Sequence, residues 1–212
     1  MAKVKICGIT NWTDARNACE AGADFLGFNF YRQSPRYIAP AAARRIVRRL
    51  PEGILSVGVF VNESEEVMLA IAREVGLDFV QLHGDEAPEV VSHVRRSVPV
   101  IKAVRVRGAF RTAYLAPYRR ASAILLDGFD RKLRGGTGKR FDWRLAKRAG
   151  RNQRIFLAGG MTPENAAEAV AIAQPYAIDV CSGVESRPGK KVAGRMRALV
   201  QAVRSVKKRK TR

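Results

Sequence analysis

The sequence has 212 residues, 47% of them hydrophobic, which suits a globular chain and excludes a disordered or collagen-like one. No apolar run approaches the roughly 18 residues that a membrane-spanning helix needs, and the first residues lack the apolar stretch of a signal peptide. Cys7, Cys19 and Cys181 are odd in number and widely spaced, as expected for reduced thiols, so we expect a cytoplasmic protein. His83 and His93 are the only histidines, and no metal site is expected.

The strong positive charge is the unusual feature of the composition. Lys and Arg total 39 and Asp and Glu total 19, which gives a net charge of +20. Such a field attracts anions, from phosphorylated metabolites to nucleic acid. Residues 204–212 include six basic and no acidic ones, and we expect a frayed basic tail at 207–212 after a domain that spans 1–206. The chain shows neither an aromatic stacking platform nor a zinc finger, so specific nucleic-acid binding is not favoured.

Short, nearly apolar runs recur along the chain. They are typical of parallel strands that are buried on both faces. In chain order, the eight predicted strands are Val4–Ile9, Phe25–Phe30, Leu55–Val61, Asp78–Leu82, Val98–Val104, Ala123–Leu126, Ile155–Ala158 and Ala177–Cys181.

Helical patterns alternate with these strands. Thr13, Ser64, Asp142 and Thr162 are the expected N-caps of four helices, and Pro163 suits a first helical position. Other predicted helices span Ala41–Leu50, Glu86–Arg96, Phe110–Arg119 and Lys191–Val206. The unbroken alternation predicts a single eight-stranded parallel (β/α)8 TIM barrel. A doubly wound open sheet is the alternative, weakened because no GxGxxG follows the first strand.

Two glycine-rich turns follow the seventh and eighth predicted strands. They are Gly159-Gly160 and Ser182-Gly183. In (β/α)8 barrels the functional groups lie at the carboxyl ends of the strands, and these two loops commonly bind phosphate through backbone N–H groups. One such turn alone would be equally consistent with a simple tight turn. The pair, in a basic chain, predicts a phosphorylated ligand.

Cys7 ends the first predicted strand and Asp127 follows the sixth, so the two side chains are candidates for a base and an acid that face each other across the barrel mouth. The alternatives are an inert buried thiol and a turn-capping carboxylate. Arg36 is either a ligand for a carboxylate or one more surface arginine. The run Gly135–Lys139 lacks the spacing of a phosphate-binding loop, and we expect it to be a flexible loop over the site.

Eight segments in chain order resemble the phosphoribosylanthranilate isomerases of tryptophan biosynthesis, and together they cover nearly the whole chain. Each lies where a barrel strand is expected to end. The segments are KVKICGIT (Lys3–Thr10), DFLGFNFYRQSPRYI (Asp24–Ile38), VGVFVN (Val57–Asn62), QLHGDE (Gln81–Glu86), LLDG (Leu125–Gly128), GGTGKRFDW (Gly135–Trp143), LAGGMTPENA (Leu157–Ala166) and DVCSGVESRPGKK (Asp179–Lys191).

The resemblance implies a minimal (β/α)8 barrel that catalyses an Amadori rearrangement of N-(5-phosphoribosyl)anthranilate without a metal or an organic cofactor. It implies Cys7 as the general base, Asp127 as the general acid and Arg36 as the ligand of the anthranilate carboxylate. The other implied substrate-binding residues are His83, Asp179, Gly159, Gly160, Ser182 and Gly183. We expect a monomer or a homodimer whose partner is a small phosphorylated substrate.

Two positions depart from the family pattern: Cys181 stands where serine is usual, and Arg140 where a small hydroxyl residue is usual. One alternative function is another phosphosugar isomerase on the same barrel. A histidine-pathway isomerase would be expected to carry aspartate in place of Cys7, and a metal-dependent epimerase would need more histidines. The second alternative, a basic nucleic-acid-binding protein, depends on the charge alone.

Overall fold

Eight parallel strands close into one barrel, as predicted. The computed structural model describes residues 1–106, 110–128 and 142–206, so the run Gly135–Lys139 and the basic tail at 207–212 lie outside the described residues. Each strand pairs with the next in sequence, and β8 pairs with β1. The strands are β1 (Lys3–Cys7), β2 (Phe25–Asn29), β3 (Leu55–Phe60), β4 (Phe79–Leu82), β5 (Val100–Arg105), β6 (Ala123–Asp127), β7 (Ile155–Ala158) and β8 (Ala177–Val180).

The strands end within two residues of the predicted positions. The largest difference is in β1, which ends at Cys7 and not at Ile9. Gly8 has a φ of 77°, a left-handed conformation that a strand does not adopt and that glycine tolerates best. The chain therefore turns directly after Cys7, at the barrel mouth.

Seven α-helices surround the barrel in the described part of the chain. They are α1 (Trp12–Ala21), α2 (Pro40–Val47), α3 (Glu65–Val75), α4 (Pro88–Val94), α5 (Trp143–Ala149), α6 (Pro163–Ala173) and α7 (Ala193–Ser205). None of the helices in these ranges is long and apolar enough to cross a bilayer. The predicted caps Ser64 and Asp142 are confirmed, since each side chain accepts a backbone N–H of the first turn.

The predicted cap Thr13 is wrong, because α1 begins two residues earlier than that cap implies. Asn11 is the N-cap, and its Oδ1 accepts the N–H of Asp14 at 2.9 Å. Asn11 Nδ2 also donates to Asp14 Oδ2 at 2.9 Å. Asparagine satisfies the exposed N–H groups of the first turn as well as threonine does, and Asn11 is the residue placed to do so.

The predicted helices Phe110–Arg119 and Glu86–Arg96 differ from the observed ones in kind or in length. Phe110–Arg119 was expected to be helical, but only Thr112–Tyr118 is, and it forms a 3₁₀ helix. Pro117 lies inside it and has no N–H to give to an α-helical ladder. The helix predicted from Glu86 begins instead at Pro88, which suits a first helical position.

A short antiparallel hairpin after β8 was not predicted. Its strands are β9 (Glu185–Arg187) and β10 (Lys190–Lys191). Lys191 was expected to begin the last helix, but its N–H donates to Asp14 Oδ2 at 2.9 Å and α7 begins at Ala193. The hairpin brings the chain back to the barrel mouth, and the Lys191 side chain is buried there.

Two apolar layers hold the barrel. The larger one lies between the strands and the helices and includes Leu26, Leu82, Ile124 and Leu199. The smaller one fills the inside of the barrel and consists of Phe25, Val57, Ile101, Ala103, Ala123, Leu125, Phe156, Ala158 and Ala177. Because side chains alternate along a strand, the inner layer identifies which polar residues also face inward, and these define the site.

Candidate functional site

The polar groups of the site lie above the inner apolar layer, at the carboxyl ends of the strands. On β6 the inward residues Ala123 and Leu125 are followed by Asp127, and on β8 Ala177 is followed by Asp179. Cys7 is the last residue of β1, and His83 directly follows β4. The structure thus brings these four predicted residues to the same end of the barrel.

A buried ion pair forms the floor of the site. Lys5 on β1 and Asp179 on β8 are paired in register, and Lys5 Nζ donates to Asp179 Oδ1 at 2.8 Å. Burial alone would lower the pKa of Lys5, but Asp179 and the neighbouring Cys7 raise it above its ordinary value. Burial raises the pKa of Asp179 to about 6, although the charge of Lys5 opposes that shift. At neutral pH both groups are therefore charged.

The environment of Cys7 favours its thiolate. A hydrogen bond from the Cys181 thiol lowers the pKa of Cys7 well below the usual value for a thiol. Burial opposes this shift, while the positive charges of Lys5 and Lys191 add to it. A thiol that is ionised near neutral pH can accept a proton.

The hairpin supplies a second buried cation beside Cys7. Lys191 Nζ donates to the backbone oxygen of Cys7 and to that of Cys181, the latter at 3.3 Å. It also lies 2.9 Å from Glu185 Oε1. Burial by itself would raise the pKa of Glu185, but hydrogen bonds from Arg36 and Lys191 lower it, so Glu185 is a carboxylate.

Arg36 makes a bidentate contact with the carboxylate of Glu185. Its Nε and Nη2 donate to Glu185 at 3.0 Å and 2.7 Å. The Arg36 side chain is 22% exposed and that of Glu185 is 4% exposed, so the pair lies at the edge of the site. Glu185 was not predicted as the partner of Arg36, yet its carboxylate holds the guanidinium in place.

On the other side of the mouth, His83 links two side chains. Its Nε2 lies 3.4 Å from Asp127 Oδ2, and its Nδ1 lies 2.7 Å from Gln81 Nε2. Gln81 is fully buried, and its Oε1 has no hydrogen-bond partner within the described residues. Asp179 lies within electrostatic range of both Cys7 and His83, so these side chains form a continuous polar band across the mouth.

The two glycine-rich turns meet beside this band. Gly160 has a φ of 68°, and Ser182-Gly183 begins a short 3₁₀ turn. A Cβ on Gly183 would lie 1.9 Å from the backbone oxygen of Met161, so only glycine lets the loops after β7 and β8 approach this closely. Gly159 also has a positive φ, of 90°. All four predicted phosphate-loop residues therefore belong to two adjoining turns.

Lys102 and Cys19 lie away from the mouth. Lys102 on β5 is buried in the outer layer, where its Nζ donates to Glu86 Oε2 at 2.7 Å. Its neighbours Ile101 and Ala103 face inward, and alternation therefore turns Lys102 outward. Cys19 on α1 packs against the outer core. Within the described ranges, no group of three or more His, Cys, Asp or Glu side chains is placed to hold a metal ion.

Lys5, Gln81, Glu185 and Lys191 also belong to the mouth, although none of them is among the predicted catalytic or substrate-binding residues. For Lys5 and Gln81 a signal exists, since each is a polar residue two positions before a predicted site residue on an apolar strand. Glu185 and Lys191 carry no such signal, because their contacts depend on the hairpin. Long-range ion pairs of this kind do not follow from local sequence patterns.

The fold and the mouth define a class of protein: a (β/α)8-barrel enzyme with a thiolate, carboxyl groups and paired glycine turns at the carboxyl ends of its strands. The family model described as "N-(5'phosphoribosyl)anthranilate (PRA) isomerase" matches residues 4–202. The chain belongs to this family. That membership decides against the alternative of a different phosphosugar isomerase on the same barrel.

Individual relatives agree with the family assignment over nearly their whole length. N-(5'-phosphoribosyl)anthranilate isomerase of Citrifermentans bemidjiense is 52% identical, over 97% of this chain and 98% of its own. That of Rubrobacter xylanophilus is 48% identical, over 97% of this chain and all of its own. Among solved structures, the phosphoribosyl anthranilate isomerase of Thermotoga maritima superposes with a TM-score of 0.89 at 42% identity, covering 97% of this chain and 100% of that one.

Proposed function

We propose that the chain performs its family's reaction with Cys7 as the general base and Asp127 as the general acid. The reaction converts N-(5-phosphoribosyl)anthranilate to 1-(2-carboxyphenylamino)-1-deoxyribulose 5-phosphate, a step of L-tryptophan biosynthesis. A related phosphoribosyl anthranilate isomerase, 41% identical with a TM-score of 0.87, was solved in complex with the reduced form of that product. The observation that carries the proposal is the stabilised thiolate of Cys7 on the same rim as Asp127.

The rearrangement needs one proton donated and one removed. Asp127 protonates the ribose ring oxygen, so that the furanose opens to a Schiff base. Cys7 then takes the proton from C2′, and the resulting enolamine tautomerises to the ketone. Lys5 and Lys191 keep the sulfur anionic before it accepts the proton, and a general base of this kind contributes a factor of about 100 to 10,000 in rate.

His83 supports the acid side of this cycle. The Gln81 side-chain amide lies 2.7 Å from Nδ1, so Nε2 is the ring nitrogen that faces Asp127 Oδ2. When Asp127 gives up its proton to the ring oxygen, the imidazole N–H can donate to the new carboxylate. We infer that His83 orients Asp127 and stabilises its ionised form.

The remaining predicted residues bind the two ends of the substrate. The turns Gly159-Gly160 and Ser182-Gly183 offer backbone N–H groups to the phosphate. Arg36 binds the anthranilate carboxylate with its Nη1 group, because Glu185 occupies Nε and Nη2. Asp179 holds Lys5 in place beneath Cys7.

The role of Cys7 as a base also bears on the cellular compartment in which the protein works. A thiolate base has to stay reduced, which suits the cytoplasm. We propose a catalytic domain over 1–206, followed by the basic tail, that works as a monomer or a homodimer. A relative from Thermotoga maritima, 40% identical with a TM-score of 0.86, is described as a monomer generated from a dimeric enzyme.

The test is a fluorescence assay with freshly prepared phosphoribosylanthranilate. The purified chain is expected to abolish the substrate signal catalytically and to yield the ketose product, identified by NMR. Arg36→Met is expected to raise KM more than it lowers kcat. A chain that binds this substrate and leaves it unchanged would contradict the proposal.

A further inference from the structure

The hairpin of β9 and β10 is fixed to the segment that follows β1. Thr10 Oγ1 donates to the backbone oxygen of Gly189, in the turn of the hairpin, at 2.7 Å. At the end of the hairpin, the N–H of Lys191 donates to Asp14 Oδ2 at 2.9 Å, and Asp14 is itself buried. Because Thr10 and Asp14 follow shortly after Cys7 in the chain, the hairpin is held close to the segment that carries the proposed base.

This attachment buries the ammonium group of Lys191 between the ends of β1 and β8. The Lys191 side chain is 0% exposed. Its Nζ donates to the backbone oxygen of Cys7, the last residue of β1, and at 3.3 Å to that of Cys181, which directly follows β8. The third acceptor is Glu185 Oε1, at 2.9 Å. The three N–H donors of an ammonium group thus have three oxygen acceptors, and they tie the two strand ends to the hairpin.

Glu185 connects Lys191 with Arg36. Besides the ammonium group, its Oε1 accepts the N–H of Gly189 at 3.1 Å and Arg36 Nε at 3.0 Å, and its Oε2 accepts Arg36 Nη2 at 2.7 Å. The Glu185 side chain is almost fully buried, and a buried carboxylate is costly unless it is paired. Both cations therefore depend on the same carboxylate, and the loss of Lys191 is expected to loosen the guanidinium as well.

Gly8 provides the space in which these side chains meet. A Cβ at this position would lie 2.8 Å from Arg36 Cδ and 3.4 Å from Lys191 Nζ. The backbone turn directly after Cys7 thus packs against both cationic side chains. Cys7, Arg36 and Lys191 therefore belong to one continuous set of contacts.

We propose that Lys191 is a positioning residue, whose ammonium group holds the Cys7 backbone at the end of β1 and, through Glu185, the guanidinium of Arg36. The inference rests on the proposed roles of Cys7 and Arg36. The hydrogen bond to the Cys7 backbone fixes the point from which the sulfur projects, and the contact with Glu185 fixes the arginine. One buried lysine thus sets the position of the base relative to the group that binds the substrate carboxylate.

The test compares Lys191→Met with Lys190→Met, which removes the same charge from the exposed neighbouring position of the hairpin. Lys191→Met is expected to lower kcat by about 10- to 100-fold, because a displacement of roughly 1 Å at a reacting group can cost that much. It should also raise KM several-fold, and Lys190→Met should change neither constant. If urea unfolding shows that Lys191→Met does not fold, Lys191→Gln replaces it. Glutamine keeps N–H donors without the charge, and both changes should appear to a smaller extent.

Double variants separate positioning from a general loss of stability. If Lys191 affects KM through Arg36, then Arg36→Met combined with Lys191→Met should have the KM of Arg36→Met alone. Likewise, Lys191→Met should not lower kcat further in a Cys7→Ser background, where the base is already lost. A merely structural role for Lys191 would lower activity by the same factor in every background.

Two outcomes would overturn the proposal. One is that Lys191→Met, or Lys191→Gln in its place, has the same kcat and KM as Lys190→Met. The other is that the KM effects of the substitutions at Lys191 and Arg36 multiply in the double variant. Failure of the proposed function gives a different result, because Cys7→Ser alone would then retain wild-type turnover.

Discussion

Lys5 Nζ lies 2.8 Å from Asp179 Oδ1 inside the barrel, and the two side chains are 0% and 8% exposed. A buried ion pair is weak support for stability, because desolvation offsets much of the attraction. Here a third charge, the thiolate of Cys7, shares the cation. The Lys5–Asp179 pair is therefore better explained by its stabilisation of the Cys7 thiolate than by a contribution to the stability of the fold.

A double substitution separates these two effects. Lys5→Met leaves Asp179 buried without its cation and is expected to lower the free energy of unfolding by about 3–5 kcal/mol. Adding Asp179→Leu removes the unpaired charge and should recover most of that loss in urea unfolding. Turnover should remain low in the double variant, since Cys7 still lacks Lys5. Restored turnover would contradict the electrostatic role of Lys5.

Removing the partner of Arg36 is expected to affect binding. Glu185→Gln weakens the two hydrogen bonds that hold the guanidinium, so KM should rise several-fold with a smaller change in kcat. Arg32→Met, a charge removed from an exposed position of the same loop, is the matched control and should leave KM unchanged. Equal KM effects in the two variants would show that general surface charge, and not the Arg36–Glu185 pair, binds the substrate.

The contact between the two glycine turns predicts a local packing effect. Gly183→Ala places a Cβ against the backbone oxygen of Met161, so the loops after β7 and β8 must separate. We expect this to lower the free energy of unfolding by about 1–3 kcal/mol. The affinity of Gly183→Ala for inorganic phosphate, measured by calorimetry, should also fall below that of the wild type. Gly194→Ala in α7 meets no atom within 4 Å and should be neutral or slightly stabilising. Unchanged phosphate affinity in Gly183→Ala would argue against this site.

The buried pair of Glu86 and Lys102 predicts a pH effect. Burial alone would raise the pKa of Glu86, but hydrogen bonds from Lys102 and from the N–H of Asn62 lower it below its ordinary value of 4.5. Its stabilising contribution is therefore complete above that value and is lost as the pH falls through the lower, folded-state pKa. Unfolding free energies from pH 7 to pH 3 should show a weaker acid dependence in Glu86→Gln than in wild type. The control Glu66→Gln, at an exposed position, should keep the wild-type slope.

Local patterns in the sequence predicted most of the fold. The strand Ile155–Ala158 was predicted to the residue, and the caps Ser64 and Asp142 were also correct. Such features depend on residues within a turn or a strand, where propensity and capping act. The hairpin Glu185–Lys191 was missed because its strands are three and two residues long and are stabilised by distant partners such as Asp14.

The sequence predicted which residues lie at the strand ends, but not the hydrogen bonds and ion pairs between them. The barrel rule brings Cys7, His83, Asp127 and Asp179 together without any knowledge of contacts. It does not show that Arg36 binds Glu185, or that Lys191 donates to the backbone oxygen of Cys7, because these contacts join residues far apart in sequence. The charge states of these side chains depend on their burial, which is defined only in the folded chain.

The most direct test of the account is the turnover of Cys7→Ser and Asp127→Asn with saturating phosphoribosylanthranilate. Each is expected to lower kcat by at least about 100-fold, because each removes one partner of the proton transfer. Cys19→Ser on α1 and Asp24→Asn at the amino end of β2 make the same changes away from the mouth and are expected to retain wild-type kcat. Wild-type turnover in folded Cys7→Ser or Asp127→Asn would contradict the acid–base mechanism.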